Sequence, residues 1–481
     1  MKQTSFYLTT TLPYVNAELH MGHALEFIRA DAIARYKKLQ GFDVFFNTGT
    51  DEHGTKILEK AQEEGIEVQN FVDKNFSKFK DSLESFGMSK DIHFIRTTDE
   101  NHIKLAQEFW SRVYNNGYIY KKNYEAKYCV GCESEKTHSE LNEAGFCPDH
   151  DGRELQTISE ENYFFKYSSF TEKLLKFYED NPNFIIPEFR YNEIKMFVER
   201  GLNDFSISRL ASKMPWGIPV PNDPEHVMYV WFDALTNYIN TLDWQNNKEQ
   251  FEKYWVSGTP TQYCGKDNTR FQGAMWQAML MAADFQNSNQ IVVNGFITGD
   301  GGVKMSKTLG NVVNPREIVE EYGTDALRYF MLREISSFED SPFTRERFLD
   351  AYNAGLANGL GNLTSRILTL SEKYLKDFSL SRGFLIPPQI SLSLEQYKIN
   401  EAMNAIWNLI DILDKYIQET QAFRVIKTDE DKGKALIIEY VTRLYDIGKS
   451  LEAFLPETSI KIIQLIKENK KPEQPLFLRK D

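Results

Sequence analysis

His20-Met21-Gly22-His23 sets two imidazoles one turn apart, where a strand-like stretch gives way to a helix-like one. The first turn of a helix offers unpaired N–H groups and about half a positive charge, which suits a phosphate. Gly22 lets the backbone come close to a ligand, and two imidazoles can donate to phosphate oxygens. Such a site favours a nucleoside triphosphate, although HxGH alone also fits two histidines with no ligand. Far downstream, Gly301-Gly302-Val303-Lys304-Met305-Ser306-Lys307-Thr308 combines two lysines, hydroxyls and flanking glycines in a cationic loop able to close over a polyphosphate leaving group. The two stretches in this order are much more specific than either alone.

Two further groups of residues carry chemistry. Gly49-Thr50-Asp51-Glu52-His53-Gly54 follows an apolar strand, Asp43 to Thr48. Carboxylates at the carboxyl end of a parallel strand lie where such sheets bind ligands, so Asp51 can accept hydrogen bonds from a substrate ammonium. The alternative is that it caps the helix that follows. Cys129-Val130-Gly131-Cys132 and Cys147-Pro148-Asp149-His150 give C-x2-C and C-x2-H, four ligands for tetrahedral zinc with no position left for water. That site is expected to be structural. His138, Asp149 and Asp151 are alternatives to His150 as fourth ligand.

The elements that must hold these residues follow from periodicity. Phe6, Tyr7, Leu8 and the threonines after them form a strand, Pro13 and Asn16 mark a loop, and Leu25, Ile28, Ala32, Tyr36 and Leu39 line one helix face. Asn314-Pro315 signals another helix start. From residue 346 the pattern is helical throughout, with three stripes. The first runs Phe348, Tyr352, Leu356, Leu360, Leu363, Ile367, Leu370; the second Met403, Ile406, Ile410, Leu413, Ile417; the third Leu436, Tyr440, Leu444, Ile447, Leu451, Leu455. Stripes of this kind make a helix bundle.

A chain of 481 residues has room for several domains. The N-terminus has no apolar signal core, and no run of about 18 apolar residues occurs, so a soluble cytoplasmic protein off the membrane is expected. Four cysteines, three of them clustered, do not make a disulfide framework. A net charge of −13 argues mildly against nucleic acid, and only the motifs reverse that.

HMGH and KMSKT together resemble the HIGH and KMSKS signatures of class I aminoacyl-tRNA synthetases. TLPYVNAELHMGHALE, GTDEHG, YVWFDAL at Tyr229 to Leu235 and GKD at Gly265 to Asp267 are similar to the methionyl-tRNA synthetases, and the similarity runs through roughly residues 5 to 455. KMSKT departs from KMSKS only at Thr308, which keeps a hydroxyl. The resemblance implies an α/β fold: a Rossmann-like catalytic domain split by a zinc-knuckle insertion and followed by an all-α bundle. The expected divisions are 1–115 and 216–296 for the two catalytic halves, 116–215 for the insertion, 297–345 for a stem-contact segment, and 346–481 for anticodon binding.

The same resemblance implies activation of L-methionine with ATP and transfer to tRNA(Met), with Mg²⁺ accompanying ATP and zinc held by Cys129, Cys132, Cys147 and His150. It assigns His20, Gly22, His23, Lys304, Ser306, Lys307 and Asp267 to ATP, and Arg209 to a supporting position. Leu12, Tyr14, Asp51, Trp231, Ala234, Leu235, Tyr238, Phe271 and Gln272 match the methionine pocket, whose aromatic walls suit a thioether. Synthetases for leucine, isoleucine and valine carry a much larger insertion for hydrolysing mischarged products; the short one here favours methionine.

Two positions depart from the family pattern. Gln272 stands where a histidine is usual, and an amide does not titrate. Phe423 replaces a tryptophan beside Asn362 and Arg366, the residues matched to anticodon reading, so stacking area is reduced. The tail from Lys470 leaves no room for a dimerising domain, and a monomer is expected. Competing readings are a synthetase of altered amino-acid specificity, a catalytically impaired RNA-binding relative, or a small-molecule nucleotidyltransferase, which would need neither the zinc insertion nor the bundle.

Overall fold

The computed structural model describes residues 4–481 apart from 133, 137–140, 151, 304–312, 377, 379 and 381. Ser5–Thr9 (β1), all five residues buried, is the apolar strand expected of a sheet covered on both faces. After it come helix Met21–Leu39 (α1), strand Asp43–Thr50 (β2), strand His93–Arg96 (β3) and helix Glu100–Asn115 (α2). Strands Ile119–Cys129 (β4) and Gln156–Phe165 (β5) form an antiparallel ladder from Ile119↔Phe165 to Tyr128↔Gln156. Short strand Ile185–Ile186 (β6), helix Val230–Ala234 (α3), and strands Thr259–Gly265 (β7) and Gln290–Asn294 (β8) complete the first part.

The central sheet runs β3-β2-β1-β7-β8-β6. β1 pairs in parallel with β2 on one side and β7 on the other, at Phe6↔Val44 and Phe6↔Thr259. The chain winds outward from β1 to β3 and then returns to fill the opposite edge. This puts the reversal of winding between β1 and β7, and in open sheets of this kind ligands bind at the carboxyl ends of the strands beside that point. The loops after β1, β2 and β7 contain Leu12 and Tyr14, Asp51, and Asp267 respectively.

The chain divides into two compact units, Met1–Glu18 with Phe42–Asp81 and Asp91–Val293, and Leu19–Gly41 with Ser82–Lys90 and Asn294–Asp481. The sequence division at 115 and 216 does not separate α1 from the strands around it, whereas the packing does. Arg29 of α1 is fully buried and donates to Asn294 Oδ1 and to the carbonyls of Ile335, Ser336 and Ser337. Lys37 donates to Glu395 at 2.7 Å. These bonds fasten α1 to the C-terminal unit.

That unit is helical after Arg345. Asn362–Tyr374 (α4), Ile399–Thr420 (α5), Glu430–Ser450 (α6) and Pro456–Glu468 (α7) bury their apolar faces against one another. The second stripe is buried at every position. In the first, Leu368 rather than Leu370 is in the core, and in the third Ile437 takes the place expected for Leu436. Leu39, the last residue of the α1 stripe, is 40% exposed because the helix ends there at Gln40 and Gly41. The tail is strapped down: Tyr352 Oη donates to the Leu478 carbonyl at 2.8 Å, and Phe477 packs edge-on against Tyr352. Among the described residues no helix is long and apolar enough to cross a membrane.

Candidate active site and metal centre

His20 is the N-cap of α1. Its Nδ1 accepts from the N–H groups of Gly22 (3.1 Å) and His23 (3.4 Å), and His23 Nδ1 accepts from the His20 N–H at 3.3 Å. The two imidazoles stack at 3.7 Å, and the arrangement is a capping box built from histidines. Two first-turn N–H groups expected to face a phosphate are thus satisfied by His20 itself. Each ring accepts through Nδ1, so Nε2 is the nitrogen that carries a proton to donate. Burial, with His20 adding to it, pushes the His23 imidazole well below its ordinary value, so His23 is neutral at pH 7. Gly22 has a local reason beyond ligand approach: a Cβ there would lie 3.0 Å from His20 Cε1. Lys304, Ser306 and Lys307 lie outside the described residues.

At the end of β2, Asp51 is buried and pairs with the loop after β1 through a parallel bridge to Tyr14. Its N–H donates to the Pro13 carbonyl (3.0 Å), and its carbonyl accepts from Val15. The residues on either side are anchored separately. Glu52 takes two bonds from Arg96, at 2.8 and 2.9 Å, and one from each of the Thr50 and Thr98 hydroxyls. His53 Nδ1 donates to Asp233 Oδ2 at 2.7 Å, and His102 Nε2 donates to Asp233 Oδ1 at 2.7 Å. Burial works to raise the Asp233 carboxyl, but the two imidazoles hold it below the ordinary carboxylate value, as an anion.

Asp233 lies in α3 beside Trp231 and Ala234, two of the matched pocket residues. Trp231 stacks flat on Phe271 at 3.8 Å and 5°. Phe271 and Gln272 open a wide helical turn, Phe271–Met275, of the kind that often marks functional sites. Gln272 is 1% exposed and its Nε2 donates to Thr11 Oγ1 at 3.2 Å. Its Oε1 and the Trp231 indole nitrogen are buried polar atoms with no hydrogen-bond partner among the described residues. Such atoms call for a partner, which a ligand or an ordered water can supply. Leu12, Leu235 and Tyr238 are buried, and Tyr7 Oη fixes the Tyr238 carbonyl at 2.6 Å. Arg209 stacks over Tyr128 and Tyr229 and donates to Ser206 Oγ and the Ser208 carbonyl, while Asp267 is exposed.

Cys129 ends β4, and Cys147 precedes a short turn, Pro148–His150. The ligand atoms of Cys129, Cys132, Cys147 and His150 all lie within 4.8 Å of one another, with Cys132 Sγ 3.4 Å from Cys147 Sγ and 3.3 Å from His150 Nδ1. Bond lengths of about 2.3 Å to sulfur and 2.0 Å to nitrogen on a tetrahedron require separations of this size. A metal ion fits, with no fifth donor in the cluster among the described residues. Among the described residues Asp149 is outside the set, and His138 and Asp151 lie outside the described residues. Gly131 is needed here because a Cβ would fall 2.4 Å from His150 Cδ2.

In the bundle, Asn362 is exposed and Phe423 is 42% exposed, so Phe423 is not a core residue. Arg366 pairs with Asp414 at 2.5 Å rather than with Asn362. The sequence alone assigns no individual role to His53, His102, Asp233, Glu52, Arg96 and Gly131. The signal available was a run of ionisable residues, Asp51-Glu52-His53, directly after an apolar strand, where each needs a buried partner.

Known proteins are similar to this chain over most of its length. A family model described as tRNA synthetases class I (M) matches residues 6–156 and 150–368. A methionine–tRNA ligase of Caldanaerobacter subterraneus subsp. tengcongensis is 40% identical over 480 residues, 96% of this chain and 74% of the relative. One from Brucella suis biovar 1 is 37% identical over 483 residues, 97% of this chain and 92% of the relative. Among solved structures, Mycobacterium tuberculosis methionyl-tRNA synthetase in complex with methionyl-adenylate superposes with a TM-score of 0.91 at 33% identity, covering 99% of this chain and 100% of that one. Matches of this extent, joined to the sheet order, the histidine cap and the Cys3His cluster, place the chain in the methionyl-tRNA synthetase family of class I aminoacyl-tRNA synthetases.

Proposed function

We propose that the chain activates L-methionine with ATP, giving methionyl-adenylate and pyrophosphate, and then esterifies the 3′ end of tRNA(Met). The observation that carries this reading is the flat stack of Trp231 on Phe271, in a chain that belongs to this family and keeps Asp51 buried at the end of β2. The methionine carboxylate attacks the α-phosphorus itself, so the protein supplies position and charge rather than a nucleophile. Asp51 binds the ammonium; Leu12, Tyr14, Ala234, Leu235 and Tyr238 with the two stacked rings hold the side chain; and Gln272 offers a polar contact to its sulfur.

His20 and His23 donate from Nε2 to ATP phosphate, and Lys304, Ser306 and Lys307 act on the departing pyrophosphate. Gly22 and Asp267 complete the nucleotide set, Arg209 takes a supporting position, and Mg²⁺ arrives with ATP as part of the substrate. Zinc on Cys129, Cys132, Cys147 and His150 supplies a cross-link that holds the tip of the β4–β5 insertion. Asn362, Arg366 and Phe423 read the anticodon, with Arg366 exchanging Asp414 for a base. The working unit is a cytoplasmic monomer, which light scattering checks.

Methionine-dependent ATP–pyrophosphate exchange without tRNA tests the reading. Exchange with methionine, and none with leucine, isoleucine, valine or cysteine, is expected. A preference for another amino acid overturns the substrate, and absence of exchange overturns the activity.

A further inference from the structure

Asp233 spends both carboxylate oxygens on partners from two distant segments, His53 after β2 and His102 in α2. All three residues are at most 5% exposed. Hydrogen-bond polarity fixes how the cluster is wired. The Trp244 indole N–H can only donate, and it meets Asn240 Oδ1 at 3.0 Å. Asn240 therefore turns its amide nitrogen to Thr236 Oγ1 (2.9 Å) and to His102 Nδ1 (3.3 Å). His102 Nδ1 is thereby an acceptor, and the ring donates to Asp233 from Nε2. The anion also holds its own helix end, since Thr236 Oγ1 donates to the Asp233 carbonyl at 2.7 Å.

The consequence concerns Asp51. It is two residues before His53, while Trp231 and Ala234 flank Asp233 in α3. A single carboxylate thus ties the segment carrying Asp51 to the helix carrying the pocket wall, and ties both to α2. On the other side of Asp51, Glu52 is fastened to Arg96.

We infer that Asp233, clamped between His53 and His102, is a positioning residue for the amino acid: it fixes the separation between the Asp51 carboxylate and the side-chain wall of Trp231 and Ala234. The inference rests on the proposed methionine reading, and none of the three residues touches the substrate. Geometry of this kind acts on amino-acid binding and leaves nucleotide binding alone, because a small misplacement at a pre-organised site costs affinity for the group it orients.

The test is steady-state pyrophosphate exchange on the full chain, with methionine and ATP varied separately. In Asp233→Asn the KM for methionine should rise at least tenfold while the KM for ATP stays within twofold. His53→Ala should show the same split, and His53→Gln, which keeps a donor, should recover most of the loss. Equal rises in both KM values would mean general damage and overturn the inference, as would a methionine KM within twofold of wild type in folded Asp233→Asn. If Asp233→Asn does not fold, the His53 pair decides: no split in His53→Ala, or no recovery in His53→Gln, overturns it. Failure of the wild-type chain to exchange with methionine sinks the proposed function instead, so the two are told apart.

Discussion

The guanidinium of Arg328 meets the carboxylate of Asp31 at 2.8 Å, and neither side chain has any exposed surface. Arg328 also donates to the carbonyls of Phe86 and Phe454, so one buried cation joins α1, the 82–90 segment and the chain after α6. Burial acts to raise the Asp31 carboxyl, and Arg328, Arg35 and Ser89 together outweigh it, holding it below its ordinary value. A carboxylate with a depressed folded value stabilises above its unfolded value, and that contribution is lost as pH falls through the folded one. Removing one partner of a buried pair costs about 3–5 kcal/mol. Asp31→Asn should therefore lower urea stability by about that amount from roughly pH 5 upward, and the gap to wild type should close as the solution is acidified below the ordinary carboxylate value. Urea titrations of the two chains across pH check this; a gap independent of pH down to acid conditions would contradict it.

His20 caps α1 and, on the proposed reading, donates to phosphate, and one substitution can separate the two. Asparagine is among the best N-caps, so His20→Asn keeps an acceptor for the first turn while removing the imidazole donor. The melting temperature should stay within a few degrees and kcat for pyrophosphate exchange should fall by about a hundredfold, the usual effect of losing one donor to transition-state charge. Lys307→Ala should fall comparably. Activity within a few-fold of wild type in either variant would remove that residue from the proposed phosphate chemistry.

Gly131 tests the metal centre without touching a ligand. A methyl group there lies 2.4 Å from the His150 ring, which must move. Support of a ligand from outside the metal's own shell is worth about 10–100-fold in affinity. Gly131→Ala should weaken zinc binding by that factor in a chelator competition, and Cys132→Ala should abolish stoichiometric zinc on elemental analysis. Unchanged retention in both would show that the cluster is not a metal centre.

Phe423 is exposed enough to stack and too exposed to be structural. Losing one stacked base costs about 1–3 kcal/mol, so Phe423→Ala should raise the KM for tRNA in aminoacylation about tenfold or more. Pyrophosphate exchange without tRNA and the melting temperature should not move. A change in exchange would place Phe423 elsewhere in the mechanism.

Much of this was legible in the sequence because local signals carried it. HMGH stood at a helix start, the C-x2-C and C-x2-H pairs had ligand spacing, and the Met403 to Ile417 stripe is buried as its period required. What stayed hidden depends on partners distant in sequence. His53, His102 and Asp233 are single residues in three segments, with nothing in their neighbours to join them. Gly131 lies between two cysteines, and nothing beside it in sequence announces the His150 ring packed over it. α1 read as part of the nucleotide fold by its position after β1, whereas the partners of Arg29, Asp31 and Lys37 fasten it to the C-terminal unit. Arg366 offered a free guanidinium on paper and is paired with Asp414 in space.

The imidazole that seals the first turn of α1 behaves as a resident stand-in for an anion. A phosphate seeking those N–H groups would exchange one acceptor for another instead of occupying a vacant cradle, and such an exchange yields little net affinity. That end of the helix is therefore built for turnover, not retention: on the proposed reading, it can engage a triphosphate during reaction and close on itself again once pyrophosphate departs.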